Sequence, residues 1–264
     1  MASAVMVRMI APVFAPGMPC WSDISVPDMD AARAFYSAVL GWSIPPGIDE
    51  FGGYTTASVG DAGAAGFMPS DGTVPTAWTL YFASSDADVT SAAIIDNGGS
   101  ILVPTVDVGD FGRMVIAADP SGAVFGVWQA DTMVGFEVVG APGGWAWCDL
   151  RSSDPDAART FYAAVFGFTY TPMEMAGPAY ATFSLGDDAP PLGGIGDMMG
   201  APDGVPSHWL VYFAVADADA AAAAATRLGG TSLAAPFDTP FGRMAPLQDP
   251  FGAPLWAVQL PEDS

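Results

Sequence analysis

The sequence predicts an α+β protein built of four βαβββ modules that form two tandem domains. Two observations carry this prediction. The first is a long internal repeat, which makes residues 17–131 and 142–261 two copies of one unit behind an N-terminal arm of residues 1–16. The second is that each copy divides into two halves, each with a short alternating strand, a capped helix and three further short segments separated by Gly and Pro.

The long repeat is visible as sequence blocks that recur in the same order. Trp21-Ser22-Asp23-Ile24 and Ala31-Ala32-Arg33-Ala34-Phe35-Tyr36 recur 126 positions later as Trp147-Cys148-Asp149-Leu150 and Ala157-Ala158-Arg159-Thr160-Phe161-Tyr162. Later blocks recur at an offset of 130 or 131, among them Phe-Gly-Arg-Met at 111–114 and 241–244. So many ordered matches indicate a duplicated fold, joined by a Gly-rich linker over about 130–144.

Each predicted helix carries its own start and stop signals. Asp28, Asp86 and Asp217 stand where an N-cap carboxylate is expected, and Gly41 stands where a left-handed C′ residue ends a helix. The Ala-rich run 218–226 is a strong helix former. The sequence therefore places one helix in each of the four modules.

The charge of the chain excludes several classes of partner. There are 29 acidic residues against seven basic ones, all of them Arg, for a net charge of −22. Such a chain repels phosphate backbones and anionic lipid heads, so we expect neither nucleic acid nor membrane as a partner. The absence of Lys excludes Schiff-base chemistry and a P-loop lysine.

Hydropathy and cysteine usage indicate the compartment of the protein and the role of its two thiols. No run of about 18 apolar residues predicts a membrane span, and residues 1–16 make no persuasive signal peptide, so the sequence predicts a cytoplasmic protein. Cys20 and Cys148 do not occupy equivalent repeat positions and lie among apolar strand residues, which predicts inert buried thiols. The oligomeric state stays open, a homodimer included.

Two motifs carry a resemblance to a known family. Ala-Ala-x-x-Phe-Tyr-x-x-Val-Leu-Gly-Trp at 31–42 follows a strand that contains Asp, and Asp-Pro-x-Gly at 119–122 introduces the last strand of the copy. The chain thereby resembles the vicinal oxygen chelate superfamily of glyoxalase I, bleomycin- and fosfomycin-resistance proteins and extradiol dioxygenases. It is most similar to the tandem glyoxalase-like proteins of actinobacteria. The resemblance covers nearly the whole chain and implies that each pair of modules curves an eight-stranded mixed sheet around a cup.

The resemblance also implies a divalent metal, which metal-using members bind through His on the first strands and a carboxylate on the last strands. The positions that match read Trp21, Thr79 and Gly126 in the first copy and Trp147, Leu210 and Trp256 in the second. None is a good ligand for a divalent ion. The chain has one His, His208, and four Glu, none on a predicted closing strand: Glu50, Glu137, Glu174 and Glu262. We therefore expect neither metal nor other cofactor, and neither glyoxalase I nor extradiol dioxygenase chemistry.

Strand alternation predicts which side chains line the two cups instead. If the first-strand ligand position faces inward, so do residues two and four further along. The predicted ligand-binding residues are Trp21, Asp23, Thr79, Tyr81, Gly126 and Trp128 in the first cup, and Trp147, Asp149, Arg151, Tyr212 and Trp256 in the second. Each cup then combines an indole with an Asp and a Tyr, as expected of an apolar pocket with a few placed polar groups. Gly126 predicts more room in the first cup for a bulky planar molecule.

Two roles are open for the inward-facing Asp23 and Asp149. One is a structural ion pair, with Arg113, Arg243 or, for Asp149, Arg151 as partner. The other is a carboxyl of raised pKa that acts as a general base, which makes Asp23, Asp149, Tyr81 and Tyr212 the candidate catalytic residues. His208 precedes a strand and is predicted at the rim.

Three functions remain open at this point. The first is a metal-independent protein that binds a small, largely apolar or aromatic molecule, of the resistance or sequestration type. The second is a metal-free enzyme that performs an isomerase, lyase or hydroxylase-associated step on a polyketide-like or carbonyl substrate through Asp and Tyr. The third is an interaction protein whose cups are packed shut. Indole-rich cups with placed polar groups favour the first two.

Overall fold

A computed structural model describes residues 14–73, 75–173, 177, 179–201 and 204–261. Most of the predicted N-terminal arm lies outside the described residues, as do Glu174 and Glu262. The predicted α+β architecture is confirmed: the described residues contain four α-helices and two mixed sheets.

Each module has its helix, and three helices begin after the predicted N-caps Asp28, Asp86 and Asp217. The four helices are α1 (Met29–Leu40), α2 (Ala87–Asp96), α3 (Pro155–Phe166) and α4 (Ala218–Arg227). The Asp28 carboxylate accepts hydrogen bonds from the backbone N–H groups of Asp30 and Ala31. Gly41 ends α1 in the left-handed conformation, with a φ of 74°. Asp86, Asp154 and Asp217 cap the other three helices in the same way. Among the described residues no helix is long and apolar enough to cross a membrane.

The first sheet has seven strands in the order β2-β3-β1-β4-β7-β6-β5. They are β1 (Pro19–Val26), β2 (Thr55–Val59), β3 (Ala62–Pro69), β4 (Trp78–Ala83), β5 (Ser100–Val108), β6 (Gly112–Ala118) and β7 (Val124–Ala130). The central strands β1 and β4 run antiparallel, with Trp21 opposite Tyr81 and Asp23 opposite Thr79. Each has a parallel outer neighbour, β3 and β7, which gives the sheet its internal two-fold pattern.

The second sheet repeats this order with nine strands, β13-β15-β16-β12-β8-β11-β10-β9, and β14 pairs with β15. They are β8 (Trp145–Arg151), β9 (Thr169–Pro172), β10 (Ala181–Ser184), β11 (Gly193–Gly196), β12 (His208–Ala214), β13 (Thr231–Ser232), β14 (Phe237–Thr239), β15 (Gly242–Gln248) and β16 (Pro254–Gln259). The central pair is β8 and β12, with Trp147 opposite Tyr212 and Asp149 opposite Leu210.

The strand counts of the two described sheets differ from the eight that the resemblance implies, and prolines stand at both places where the pattern departs from it. In the first module the strand after α1 is reduced to a bridge between Ser43 and Ser58, because Pro45 and Pro46 follow at once and have no N–H to donate. In the fourth module the strand that corresponds to β5 is split into β13 and β14, with Pro236 between them.

The two sheets contact each other through β4 and β12, and the helices pack beside this contact with their buried apolar residues in the same core. Helix α1 packs beside α4, and α2 beside α3. Two reciprocal hydrogen bonds join the domains: Tyr36 of α1 donates to Asp249 at 2.9 Å, and Tyr162 of α3 donates to Asp119 at 3.3 Å. Both aspartates begin the repeated Asp-Pro-x-Gly turn. One hydrophobic core therefore spans both domains.

Candidate functional site

In each sheet the predicted cup residues lie on the face opposite the aromatic core between the domains. On β4 the residues Trp78 and Phe82 contact aromatic rings of the interdomain core, so Thr79 and Tyr81 point to the opposite face. The register places Trp21 and Asp23 on that same face as their cross-strand partners. Gly126 lies beside Tyr81 on β7. The predicted cup residues of the first domain therefore share one face.

The first cup is organised around Asp23. Tyr81 donates its hydroxyl to Asp23 Oδ2 at 2.9 Å, and Trp21 donates its indole N–H to the hydroxyl of Tyr54 at 2.9 Å. Asp23 and Thr79 are half-buried, whereas Trp21 and Tyr81 are buried. Burial raises the pKa of the Asp23 carboxyl to about 7, against the opposing effect of the Tyr81 hydrogen bond. Near neutral pH this carboxyl is able both to accept and to donate a proton.

Gly126 does not leave room for a ligand, contrary to prediction. A Cβ at this position would lie 2.1 Å from Cδ1 of Tyr81, so the tyrosine ring already occupies the space above the glycine. Trp128, two residues along, donates its indole N–H to the carbonyl of Met133 at 2.8 Å and thereby anchors the start of the linker. Both residues pack the wall of the first cup.

The linker covers one end of the first cup. Phe136 is fully buried and its ring centroid lies 5.6 Å from that of Trp21, while Phe14 packs edge-on against Phe136 at 6.3 Å. The backbone N–H groups of Phe136 and Glu137 donate to the carbonyls of Cys20 and Gly63. The segment is thus fixed against β1 and β3, and Trp21 belongs to the main core.

The second cup is organised around a carboxylate with four donors. Asp149 accepts hydrogen bonds from the Trp147 indole at 3.0 Å, from the hydroxyls of Tyr180 and Tyr212 at 2.7 Å and 2.6 Å, and from Arg151 Nη2 at 2.9 Å. Two of these donors bond to each carboxylate oxygen, so the acceptor sites are filled. Asp149 and Arg151 are both buried. This is a structural ion pair, the first of the two roles given above.

The second cup also has an apolar wall of its own. A cluster separate from the main core comprises buried Leu210, Tyr212 and Val258 with half-buried Ala146, Trp147, Met244, Trp256 and Leu260. The rings of Tyr212 and Trp256 lie 5.1 Å apart at 34°, and the exposed Phe237 packs edge-on against Trp256. Two partly exposed indoles thus border the buried Asp149–Arg151 pair.

The expectation that Arg113 and Arg243 would neutralise the cup aspartates is wrong. Arg113 bonds to Asp88 and Asp107, and Arg243 bonds to Asp219 and Asp238. The register explains the difference. Ile116 pairs with Gly126 on the cup face. Arg113 lies three residues before Ile116 on the same strand, so its side chain points to the opposite face, towards α2.

The two cysteines and His208 make no hydrogen bond to either cup aspartate within the described part of the chain; their partners are backbone carbonyls. Burial raises the pKa values of the Cys20 and Cys148 thiols, which fits inert side chains. His208 opens β12 at the rim, where its Nδ1 lies 2.8 Å from the carbonyl oxygen of Pro206. It stands opposite Arg151 in the register.

The donors on the concave faces do not fit a divalent metal. The six positions that the resemblance singles out supply indoles, one hydroxyl and apolar groups, and an indole N–H donates a hydrogen bond where a metal needs a lone pair. Within the described ranges no group of three or more His, Cys, Asp or Glu side chains is placed to hold a metal ion.

Sequence reasoning missed the second tyrosine of each cup. Tyr54 and Tyr180 each precede the strand that pairs with β3 or β11, and each rests on a glycine: a Cβ on Gly66 or Gly194 would lie 1.9 Å from the tyrosine hydroxyl. The signal was available, because Tyr54 and Tyr180 are separated by the same 126 positions as Trp21 and Trp147.

Comparison with known proteins agrees with this architecture. A family model of the Glyoxalase/Bleomycin resistance protein/Dioxygenase superfamily matches residues 20–127 and 144–256. The chain therefore belongs to this superfamily, with one family unit in each half.

Particular relatives cover almost the entire chain. The putative glyoxylase CFP32 of Mycobacterium tuberculosis is 38% identical over 254 residues, which are 93% of this chain and 95% of the relative. The anthracycline biosynthesis protein DnrV of Streptomyces peucetius is 38% identical over 265 residues, 94% and 95% of the two chains. Among solved structures, a Mn(II)-bound glyoxalase from Novosphingobium aromaticivorans aligns with a TM-score of 0.65 at 17% identity, over 94% of this chain and 85% of its own. That last likeness shows the fold alone.

Proposed function

We propose that this chain is a metal-independent binding protein that holds a small, largely aromatic molecule against the concave face of its second domain. The observation that carries the proposal is the separate apolar cluster there, with Trp147 and Trp256 half-buried around a charged pair. A separate apolar cluster with two half-buried indoles beside a few fixed polar groups is the arrangement that a ligand pocket presents. A role in resistance or sequestration fits this arrangement.

Two further considerations support the proposal. In the first domain the equivalent indole, Trp21, is buried under Phe136, so the first-strand indole is more accessible in the second cup. The likeness to an anthracycline biosynthesis protein supports a planar, polycyclic ligand. We therefore place the site in the second domain, although Gly126 had predicted the first.

A titration with a planar probe tests this proposal. We expect anthraquinone-2-carboxamide to quench tryptophan fluorescence saturably, and Trp256→Ala to weaken binding about tenfold or more, because a stacked aromatic contact and its buried area are lost. Treatment with a chelator should leave the affinity unchanged.

The matched control is Trp21→Phe, at the equivalent of Trp147 in the first domain, which should bind like the wild type. A probe that does not quench, or a Trp256→Ala variant with unchanged affinity, would remove the second cup as the site. Loss of binding after chelation would contradict metal independence.

One observation favours a second candidate function, a metal-free enzyme acting on a polyketide-like or carbonyl substrate. Asp23 is half-buried, receives one side-chain donor among the described residues and has a pKa of about 7. Such a carboxyl is suited to general acid–base chemistry, with the Tyr81 hydroxyl beside it. Asp149 is not, because four donors already occupy its oxygens.

The pH dependence of stability tests the premise of this second function. The folded-state pKa of Asp23 lies above the ordinary value of about 3.9, so the folded protein binds the proton more tightly than the unfolded chain. Its contribution to stability is therefore full below about pH 4, falls as the pH rises to about 7, and stays constant above that. We expect Asp23→Asn to lose less stability than the wild type between pH 4.5 and 8, measured by urea unfolding.

Exposed Asp61 provides the control, since Asp61→Asn should keep the wild-type pH profile. If Asp23→Asn also keeps it, Asp23 does not titrate near neutrality and the enzyme hypothesis loses its acid–base group.

A further inference from the structure

Among the described residues, Arg151 has hydrogen-bonding capacity that no protein group fills. Its guanidinium carries five N–H donors. Nη2 bonds to Asp149, and Nη1 contacts the thioether sulfur of Met199, which is a weak, uncharged acceptor. The side chain is only 10% exposed, so water has limited access to the remaining N–H groups.

We propose that Arg151 forms an anion subsite in the second cup, and that the ligand is a planar aromatic carboxylate. This inference rests on the proposed function and names the chemistry of its ligand. The ring lies along the wall formed by Trp147 and Trp256, and the carboxylate replaces Met199 at the guanidinium. An arginine fork suits a carboxylate because both groups are planar and two parallel hydrogen bonds can form.

Asp149 orients the Arg151 guanidinium without occupying all of its N–H donors. Three neutral donors, Trp147, Tyr180 and Tyr212, share its two oxygens with Arg151. The carboxylate charge is thus distributed over four partners, and the guanidinium is oriented by one bond with its other edge uncommitted. The pair fixes the Arg151 side chain in one geometry before a ligand arrives, which lowers the entropic cost of binding.

The backbone around Arg151 leaves space for the guanidinium. A Cβ on the buried Gly196 would lie 3.4 Å from Arg151 Nη1 and 2.9 Å from the Tyr180 ring. Met199 itself is 52% exposed and sits in a turn with a φ of 43°. A ligand can therefore take the place of Met199 without disturbing the sheet.

The first domain has no equivalent of this subsite. The residue that matches Arg151 is Ser25, which is exposed, and the first cup has neither a cation nor a second indole at the Trp256 position, where Gly126 stands. An anionic ligand is therefore specific to the second domain.

Isothermal titration calorimetry with a matched pair of probes tests the inference. We expect anthraquinone-2-carboxylate to bind wild-type protein about tenfold or more tighter than anthraquinone-2-carboxamide, as a charge-assisted bond is worth more than a neutral one. Arg151→Gln should bind both probes with equal affinity. Arg151→Lys keeps a charge beside Asp149 and should keep only part of the preference, because an ammonium lacks the fork.

The control is Arg243→Gln, which removes an equal charge from the surface of the same domain and should keep the full preference. Equal binding of the two probes by wild type overturns the anion subsite while the proposed function stands. No binding of either probe overturns both. A full preference that survives in Arg151→Gln assigns the anion to another residue and overturns the inference.

Discussion

Asp149→Asn is expected to destabilise the protein by about 3 kcal/mol, although the substitution is isosteric. The carboxylate accepts four hydrogen bonds in a buried site, and one of them comes from Arg151. An amide at this position presents N–H groups to the same donors and leaves the guanidinium without a counter-charge. Urea unfolding followed by circular dichroism at pH 7.5 measures the loss as a fall in the transition midpoint.

Asp23→Asn is the matched control for this prediction, because the repeat aligns the two positions. Asp23 has one donor and a pKa of about 7, so a neutral amide replaces a carboxyl that burial already drives towards neutrality. We expect this variant to be as stable as wild type or more stable. Equal losses in both variants would show that Asp149 is no more constrained than Asp23.

Asp119→Ala is expected to cost about 2–4 kcal/mol, because one side chain serves both a turn and the domain interface. Its Oδ1 accepts the N–H groups of Ser121 and Ala123 and the Ser121 hydroxyl, and its Oδ2 accepts the hydroxyl of Tyr162 from the other domain. Differential scanning calorimetry should show one transition, shifted to lower temperature, since a single core spans the domains.

An equivalent variant and a control variant accompany this prediction. Asp249→Ala removes the symmetry-related turn and the bond to Tyr36, and should lower the melting temperature comparably. Asp107→Ala removes a carboxylate from an exposed pair with Arg113 and should change it little. Two separate transitions in Asp119→Ala, with only one displaced, would contradict the shared core.

The difference between the two cups has a simple structural origin. Both retain the Trp-x-Asp of the first strand and the two tyrosines, so the framework of the duplicated unit is the same. The first cup is covered by the linker that continues from its own last strand, through Phe136. In the second cup the bulky Trp256 replaces Gly126 but remains half-buried. The exposure of the first-strand indole therefore depends on the neighbouring chain segment, and the size of one wall residue does not predict it.

The sequence by itself determined the fold and the inward-facing residues of each cup. Asp N-caps and left-handed glycines act within three or four residues, and strand alternation has a period of two, so both can be read along the chain. The repeat supplied the module order and, through its offset, would also have located Tyr54 and Tyr180.

Only the tertiary structure decided which partners the inward residues have. Arg113 and Arg243 turn towards the helices, Tyr81 occupies the space above Gly126, and Phe136 covers Trp21. These outcomes depend on sheet curvature, on the path of the linker and on side-chain packing between segments far apart in sequence. Local propensity does not encode such contacts, because their free energies arise only when the segments meet.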